Sequence, residues 1–306
     1  FLRLASGLTA TGQQARSLGV RRATMRAAHP QFRDCSAMPL LLLVLVAAVQ
    51  GLTEFLPVSS SGHLALIPLV TDQPYQGRAI DVAAHVGTLG AVLLYFRRDL
   101  TAMLLALWPG KTAEGAAQQR QMIRLLIIAT VPVFAVGFVV NEIDPAWLTD
   151  IRTLAAANLV FAALLWHADR TESTAGKLAD MRYGGAVMIG LAQCLALIPG
   201  ASRSGVTMTA ARYLGIGRVD AARLSMLLSI PTIAGAGLLK ALDIVADGDA
   251  ALGMDAVIVA VLSFGFALAA IGWMMRWLAR ADFRIFVWYR MALGALLVLA
   301  IGLGAG

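Results

Sequence analysis

Residues 50–63 read Gln50-Gly51-Leu52-Thr53-Glu54-Phe55-Leu56-Pro57-Val58-Ser59-Ser60-Ser61-Gly62-His63. One apolar run, 40–49, leads into this stretch, and a second, 64–70, leaves it. Neither run reaches the roughly 20 apolar residues that a membrane crossing needs. The pattern therefore predicts a helix that enters a membrane, breaks and turns back. Non-helical backbone survives at that depth only inside protein or beside a water-filled cavity, and ionisable groups there mark functional sites.

The composition is that of an integral membrane protein. Of the 306 residues 59% are hydrophobic and 14% are charged, and the mean hydropathy is +0.75. The long apolar segments are rich in Gly and Ala and lack the alternation of barrel strands, so they predict helices. The formal net charge is +7, and residues 1–37 account for +5 of it, with six Arg and one Asp. The basic balance thus belongs to the tail and predicts no nucleic-acid partner.

The domain organisation is predicted from the same change in composition. Residues 1–37 are rich in Arg, Ala and Ser and contain no apolar core, so they are expected to be a disordered or non-native extension. Residues 38–306 are expected to form a single membrane domain.

An internal repeat divides that membrane domain into two halves, 38–168 and 183–306. The second half opens with an apolar run that leads into Pro199-Gly200-Ala201-Ser202-Arg203-Ser204-Gly205 and then into a second apolar run, 206–214. Three predicted spans follow each broken pair: about 79–96, 122–140 and 152–168, then 220–242, 254–278 and 285–304. Because three is odd, the second half is inverted. The predicted fold is an all-α polytopic membrane protein with six transmembrane helices and two re-entrant helix–loop–helix hairpins in an inverted repeat.

Loop charges predict the orientation, because cytoplasmic loops carry the excess of Lys and Arg. The residues expected on the cytoplasmic side are Arg97, Arg98, Lys111, Arg120, Arg124, Arg170, Lys177, Arg182, Arg212, Arg218, Arg223, Arg276, Arg280, Arg284 and Arg290. The residues expected outside are Glu142, Asp144, Asp150, Asp243, Asp247, Asp249 and Asp255. The first broken pair then enters from outside and the second from inside.

The two loops together predict a phosphate site. Each loop opens a new helix, whose N-terminal amides favour an anion. Arg203 adds a guanidinium suited to phosphate, while Glu54 and His63 can move protons. Glu54 can also hold a divalent cation. A phosphate site inside a membrane suits a lipid phosphate.

Several polar residues near the loops have simpler explanations. Gln50 and Gln193 either support the site or hydrogen-bond between helices. Asp81 and His85 are more typical of a capped or solvated helix end.

The two quoted motifs, and residues 38–306 around them, resemble the undecaprenyl-diphosphate phosphatase family, also called the bacitracin-resistance family. The resemblance implies an integral membrane phosphatase of the bacterial inner membrane that opens to the external, periplasmic side. It would hydrolyse undecaprenyl diphosphate to undecaprenyl phosphate and inorganic phosphate, which recycles the carrier for cell-wall synthesis and confers bacitracin resistance. Activity would depend on a divalent cation, magnesium or calcium, and a homodimer is the candidate assembly.

The resemblance also implies roles for individual residues. Glu54 would be the acidic catalytic residue and the tentative metal ligand, and Arg203 the phosphate clamp. Ser60 is favoured as the nucleophile with His63 as its base, and direct attack by His63 is the close second. The residues expected to line the phosphate pocket are Ser59, Ser61, Ser202, Ser204 and Thr207. Many family members carry Glu where this chain has Gln50, so Glu54 would need help from substrate oxygens or water to hold a cation.

Two other functions compete with this one. A polyprenyl-phosphate transporter or flippase would also use an inverted repeat with broken helices. A lipid phosphatase of the acid-phosphatase type would share Ser61-Gly62-His63 and Ser202-Arg203, but the sequence lacks that family's upstream Lys/Arg-Pro element and its second His.

Overall fold

The computed structural model describes residues 39–71, 75–108, 115–143, 145–170, 176, 178–246 and 253–303. These residues form eleven α-helices: α1 Leu40–Thr53, α2 Ser60–Thr71, α3 Arg78–Tyr95, α4 Arg97–Ala106, α5 Ala116–Ile143, α6 Ile151–Arg170, α7 Tyr183–Cys194, α8 Arg203–Tyr213, α9 Arg218–Ala246, α10 Met254–Leu278 and α11 Arg284–Gly302. Short 3-10 turns lie at Ala146–Leu148, Leu178–Asp180 and Leu195–Leu197. The predicted tail, 1–37, lies outside the described residues.

Six of the described helices are long and apolar enough to cross a membrane: α3, α5, α6, α9, α10 and α11. They correspond one to one with the six predicted spans, so the all-α polytopic fold class is confirmed. Boundaries differ most at α5, which begins at Ala116 rather than near residue 122. Polar residues of its first turns continue the helix beyond the apolar stretch that the hydropathy pattern marks.

The two broken pairs are helix–loop–helix units, as predicted. The first hairpin consists of α1, the loop 54–59 and α2; the second consists of α7, the loop 195–202 and α8. In each hairpin the two helices contact each other. At about 1.5 Å per residue, none of these helices covers the roughly 30 Å hydrocarbon core, which is compatible with a re-entrant course.

Each hairpin packs through a glycine against a spanning helix of the opposite half. Gly51 of α1 lies so close to α10 that a Cβ there would be 2.6 Å from Phe266 Cβ and 2.7 Å from the Ser263 carbonyl oxygen. Gly190 of α7 lies on α5, where a Cβ would be 2.9 Å from the Ala129 carbonyl oxygen. Since α10 is the second span of its half and α5 is the second span of the other, α1 pairs with the later half and α7 with the earlier one. The two halves therefore interlock.

The largest buried cluster lies beneath the first loop. Phe55 and Val58 of that loop pack with side chains of α3, α9, α10 and α11, including Val92, Met226 and Ile271. The apolar cluster packs against one side of the first loop. On the other side of the loop, Glu54 contacts the second hairpin.

Two arginines counted above as cytoplasmic loop charges are buried instead. Arg212 is 4% exposed and lies 3.4 Å from the carboxylate of buried Asp169, which also accepts hydrogen bonds from Arg218. Arg290 is fully buried within α11. A guanidinium that is held inside the protein is not a signal of loop orientation, so neither residue supports the predicted topology. Lys111, Asp144, Lys177, Asp247 and Asp249 lie outside the described residues, as does the side chain of Asp243.

Candidate active site

The carboxylate of Glu54 lies at the point where the two hairpins meet. It follows the last residue of α1, and its side chain is 9% exposed. Its Oε2 accepts hydrogen bonds from Ser60 Oγ at 2.6 Å and from Gln50 Nε2 at 2.9 Å. Gln50 is one helical turn earlier and fully buried. The carboxylate is thus held from both sides within its own hairpin.

Arg203 brings the second hairpin to this carboxylate. Its Nη2 donates to Glu54 Oε1 at 2.9 Å, and its Nη1 donates to the Ser225 carbonyl at 3.1 Å. The guanidinium is 15% exposed. A charge-assisted bond between two nearly buried groups costs several kcal/mol if one partner is removed. The predicted convergence of a guanidinium and an acid from different hairpins is therefore observed.

The residue just before the second helix of each hairpin is a serine with unusual backbone geometry. Ser59 has φ 72° and Ser202 has φ 69°, in the region that favours glycine. The Ser202 hydroxyl accepts from the Gly205 amide at 3.1 Å, and the Ser59 hydroxyl accepts from the Gly62 amide at 3.4 Å. These caps hold the helix N-termini at the site, and backbone strain of this kind clusters at functional sites.

The other predicted hydroxyls occupy different positions around the cluster. Ser61 is exposed, with its Oγ 3.5 Å from Ser59 Oγ. Ser204 Oγ donates to the Leu56 carbonyl at 2.8 Å, which ties the second hairpin to the first loop. Thr207 Oγ1 donates to Ser225 Oγ at 2.8 Å, beneath Arg203. Ser204 and Thr207 therefore support the loops, whereas Ser61 is open to a ligand.

The predicted pair of Ser60 with His63 is not the arrangement observed. His63 Nδ1 lies 2.6 Å from the Ser59 carbonyl, and its Nε2 lies 2.6 Å from the hydroxyl of Tyr289. Both ring nitrogens are therefore engaged elsewhere, and the side chain that contacts the Ser60 hydroxyl is the carboxylate of Glu54. The reason is geometric: His63 is one turn into α2, so its ring turns towards α11.

A different imidazole lies near the carboxylate. His85 Nε2 of α3 is 3.9 Å from Glu54 Oε2, and its Nδ1 donates to the Asp81 carbonyl at 2.7 Å. Asp81 itself accepts hydrogen bonds from the side chains of Tyr75 and Gln76, and the first turn of α3 has no side-chain cap. The interpretation of Asp81 as a capped or solvated helix end therefore stays a prediction, while His85 lies beside Glu54.

The guanidinium of Arg290 contacts backbone carbonyls of both loops. Its Nη2 donates to the carbonyls of Gly200 at 2.8 Å and Ala201 at 3.0 Å, and its Nε donates to Asn158 Oδ1 at 3.1 Å. Its Nη1 is 3.5 Å from the Pro57 carbonyl in the first loop. Among the described residues no carboxylate pairs with this guanidinium, so it adds uncompensated positive charge beside the site. Sequence reasoning missed it because Arg290 follows a run of interfacial arginines.

Gln193 does not take part in the acid–guanidinium cluster. Its Nε2 donates to the Ala129 carbonyl of α5 at 3.1 Å, so it fastens α7 to its neighbour. Gln50 and Gln193, which occupy matching places in the two hairpins, therefore differ: one contacts Glu54 and the other only supports packing.

The fold and this cluster define a polytopic helical membrane protein whose acid–guanidinium site is built by two broken helix pairs. The chain belongs to the bacitracin resistance protein BacA family, whose family model matches residues 43–296. The match includes both loops, all of the second hairpin and the first hairpin from residue 43 onward, and it ends within α11.

Curated relatives match over most of their length. An undecaprenyl-diphosphatase of Maricaulis maris is 48% identical over 85% of this chain and 99% of its own. An undecaprenyl-diphosphatase of Dinoroseobacter shibae is 46% identical, covering 86% of this chain and 98% of its own. Undecaprenyl-diphosphatase 1 of Rhodospirillum rubrum is 46% identical, covering 87% and 97%.

Proposed function

We propose that this protein is an integral membrane phosphatase that hydrolyses undecaprenyl diphosphate to undecaprenyl phosphate and inorganic phosphate. The observation that carries the proposal is the contact of Arg203, Glu54 and Ser60 across the two hairpins. It combines a phosphate-binding guanidinium with a hydroxyl that donates to a base. The names of the relatives support the same substrate. The recycled carrier lipid would sustain cell-wall synthesis and confer bacitracin resistance.

In the proposed reaction Ser60 Oγ attacks the terminal phosphorus while its proton passes to Glu54 Oε2. The Oγ–P bond forms, and the bond from phosphorus to the bridging oxygen breaks, which releases undecaprenyl phosphate. Water then hydrolyses the phosphoserine. Arg203 leaves Glu54 for the phosphate and stabilises the charge on the transferring group, together with the helix N-termini at Ser60 and Arg203. Attack by His63 is the second route, and it requires His63 Nε2 to leave Tyr289.

The surroundings of the site support a lipid substrate. Leu52, two residues from Glu54, is 41% exposed, and Tyr289, which contacts His63, is 47% exposed. Both belong to helices that would lie in the bilayer, so in the proposed arrangement these side chains are available to a hydrocarbon tail. A polyprenyl tail could remain among them while its diphosphate reaches Arg203.

A divalent cation, magnesium or calcium, is part of the proposal. Glu54 would hold it, and the buried amide oxygen of Gln50, which lacks a hydrogen-bond partner among the described residues, fits as a second oxygen ligand. The described residues contain no group of three His, Cys, Asp or Glu side chains suited to a metal, so substrate oxygens and water would complete the set. The cation would neutralise diphosphate charge.

The finer localisation is also proposed: the bacterial inner membrane, with the site opening to the periplasmic, external side. Two acidic residues at an end expected outside support this orientation: Glu142 in the last turn of α5 and Asp150 just before α6. Cysteine labelling of intact cells at either position would test it, since labelling only after permeabilisation would contradict it. The predicted homodimer would be tested by light scattering in detergent.

Phosphate release from C55 polyprenyl diphosphate by the purified protein tests the function. We expect turnover that a chelator abolishes and added magnesium or calcium restores. Glu54→Gln should lose it, while Glu142→Gln, an exposed carboxylate at the end of α5, should keep it. If Glu54→Gln released phosphate as fast as the protein without substitutions, the assigned site would be contradicted.

A second candidate is lipid transport, because the interlocked, inverted hairpins suit alternating access. A phosphatase releases phosphate in detergent without a bilayer. A transporter moves labelled polyprenyl phosphate across vesicles and retains that movement in Glu54→Gln.

A further inference from the structure

Tyr289 meets His63 in two ways. The phenol hydroxyl and His63 Nε2 are 2.6 Å apart, and the two rings stack with centroids separated by 5.6 Å and planes inclined by only 10°. The two residues come from α11 and α2, which lie 226 positions apart in the chain. A ring that is both stacked and hydrogen-bonded has little freedom to rotate.

The other side of the imidazole fixes which nitrogen carries the proton. A backbone carbonyl can only accept, so His63 Nδ1 donates its hydrogen to Ser59 at 2.6 Å. In the neutral ring Nε2 then has a lone pair, and the Tyr289 hydroxyl donates to it. The phenol thus selects the neutral tautomer and occupies the nitrogen that would carry any chemistry.

The position of Tyr289 links this contact to the site. The next residue, Arg290, reaches the carbonyls of both loops, so one turn of α11 contacts the first hairpin through Tyr289 and the second through Arg290. Tyr289 is also 47% exposed, so it lies between the outer surface of the protein and the two loops.

We propose that Tyr289 is a positioning residue that acts through His63. It holds the imidazole beside Ser59–Gly62 in the neutral tautomer, and its hydroxyl leaves Nε2 when the lipid diphosphate arrives. His63 Nε2 is then free to act on the bound phosphate, whether Ser60 or His63 is the group that attacks phosphorus. This inference rests on the proposed phosphatase function.

The chain offers a matched control. Tyr213 hydrogen-bonds His167 Nδ1 at 2.9 Å, and the ring centroids are 5.7 Å apart. This second pair joins α6 and α8 and contacts no residue of the acid–guanidinium cluster in the described part of the chain. Tyr213→Phe therefore removes the same chemical group from the same kind of pair.

The kinetic test compares Tyr289→Phe with Tyr213→Phe in detergent. For Tyr289→Phe we expect kcat to fall about 10-fold, less than the roughly 10²-fold or more of a group that transfers the proton itself, with KM within about twofold and an unchanged unfolding temperature. Tyr213→Phe should keep kcat. In a His63→Gln background Tyr289→Phe should cost nothing further, because both act as one unit. An unchanged kcat in folded Tyr289→Phe, or equal losses in both Tyr variants, would overturn the proposal.

A second readout does not depend on turnover. Diethyl pyrocarbonate acylates the free nitrogen of a neutral imidazole, and mass spectrometry of peptides reports each histidine separately. Tyr289→Phe should raise the modification rate of His63 several-fold and leave that of His167 unchanged. An unchanged rate at His63 would refute the contact itself, whereas absence of turnover in the unmodified protein would refute only the proposed function.

Discussion

The two hairpins share the same loop geometry but present different side chains to the site. In each, a serine with φ near 70° immediately precedes the second helix, a second serine lies two residues later, and the amide of the glycine three residues later donates to the first serine. The spacing between the two hydroxyl oxygens is 3.5 Å for Ser59 and Ser61 and 3.2 Å for Ser202 and Ser204. The repeated element is therefore a capped helix N-terminus, which suits an anion in either half.

The difference lies in the residue that follows the capping serine. The first hairpin has Ser60, which donates to Glu54, and the second has Arg203, which reaches across to the same carboxylate. The two capped helix N-termini thus meet at one carboxylate, and in the proposed function Ser60 supplies the reacting group while Arg203 binds the phosphate. This division of roles leads to four predictions.

The largest effect is expected at Arg203. Arg203→Ala removes the guanidinium and leaves the nearly buried Glu54 carboxylate without its cation. We expect kcat for phosphate release to fall by roughly 10³-fold, and Arg203→Lys to recover only part, because an ammonium lacks the planar fork. The control is Arg284→Ala, which removes a guanidinium that is 67% exposed and paired with Asp282. Equal activity of the Lys variant would show that only charge matters here.

A second large effect separates neighbouring serines in the first loop. Ser60→Ala removes the hydroxyl on Glu54, whereas Ser61→Ala removes an exposed hydroxyl. We expect kcat to fall at least about 10²-fold for Ser60→Ala and clearly less for Ser61→Ala, measured as phosphate release. Similar losses would contradict the assignment of Ser60 as the group that Glu54 activates, and a catalytic imidazole would then be favoured.

The spanning helices and the two broken hairpins could be predicted from the sequence, because hydropathy and loop composition are local properties. Six apolar stretches gave six helices, and two clusters of Pro, Ser and Gly gave two loops, with Glu54 and Arg203 in contact. Partners from distant elements could not be predicted. The phenol of Tyr289 and the guanidinium of Arg290 lie in an ordinary apolar helix, and only the packing of α11 against both loops turns them inwards.

The signal that could have found these two residues is the depth of Arg290 in its span. It lies six residues inside the helix that begins at Arg284, and a charge at that depth is costly unless it is held by protein. Spacing therefore distinguishes it from the arginines in the preceding turn. His85 gave a weaker signal, because a histidine near a helix start is common.

A moderate effect on stability is expected at Gly51 and Gly190, where the hairpins pack closely against neighbouring helices. Gly51→Ala would place a Cβ 2.6 Å from Phe266 Cβ, and overpacking of this kind costs about 1–3 kcal/mol. Gly190→Ala meets its nearest atom at 2.9 Å, so its cost should be smaller. Gly265→Ala on α10 meets nothing within 4 Å and should be neutral or stabilising. Thermal unfolding in detergent measures all three, and a reversed order for Gly51 and Gly190 would show that the first hairpin yields more easily.

The smallest effect tests the shared caps. Ser202→Ala keeps a Cβ at φ 69° and removes the cap oxygen, at a cost of about 1 kcal/mol, whereas Ser202→Gly also relieves the backbone and should cost only a few tenths. The same pair at Ser59 should differ less, because its cap is longer, 3.4 Å against 3.1 Å. Unfolding temperatures of the four variants check this order. If Ser59→Ala were the costlier change, the first loop would depend on its cap more than on the apolar cluster beneath Phe55, and the second hairpin would be the more firmly supported of the two.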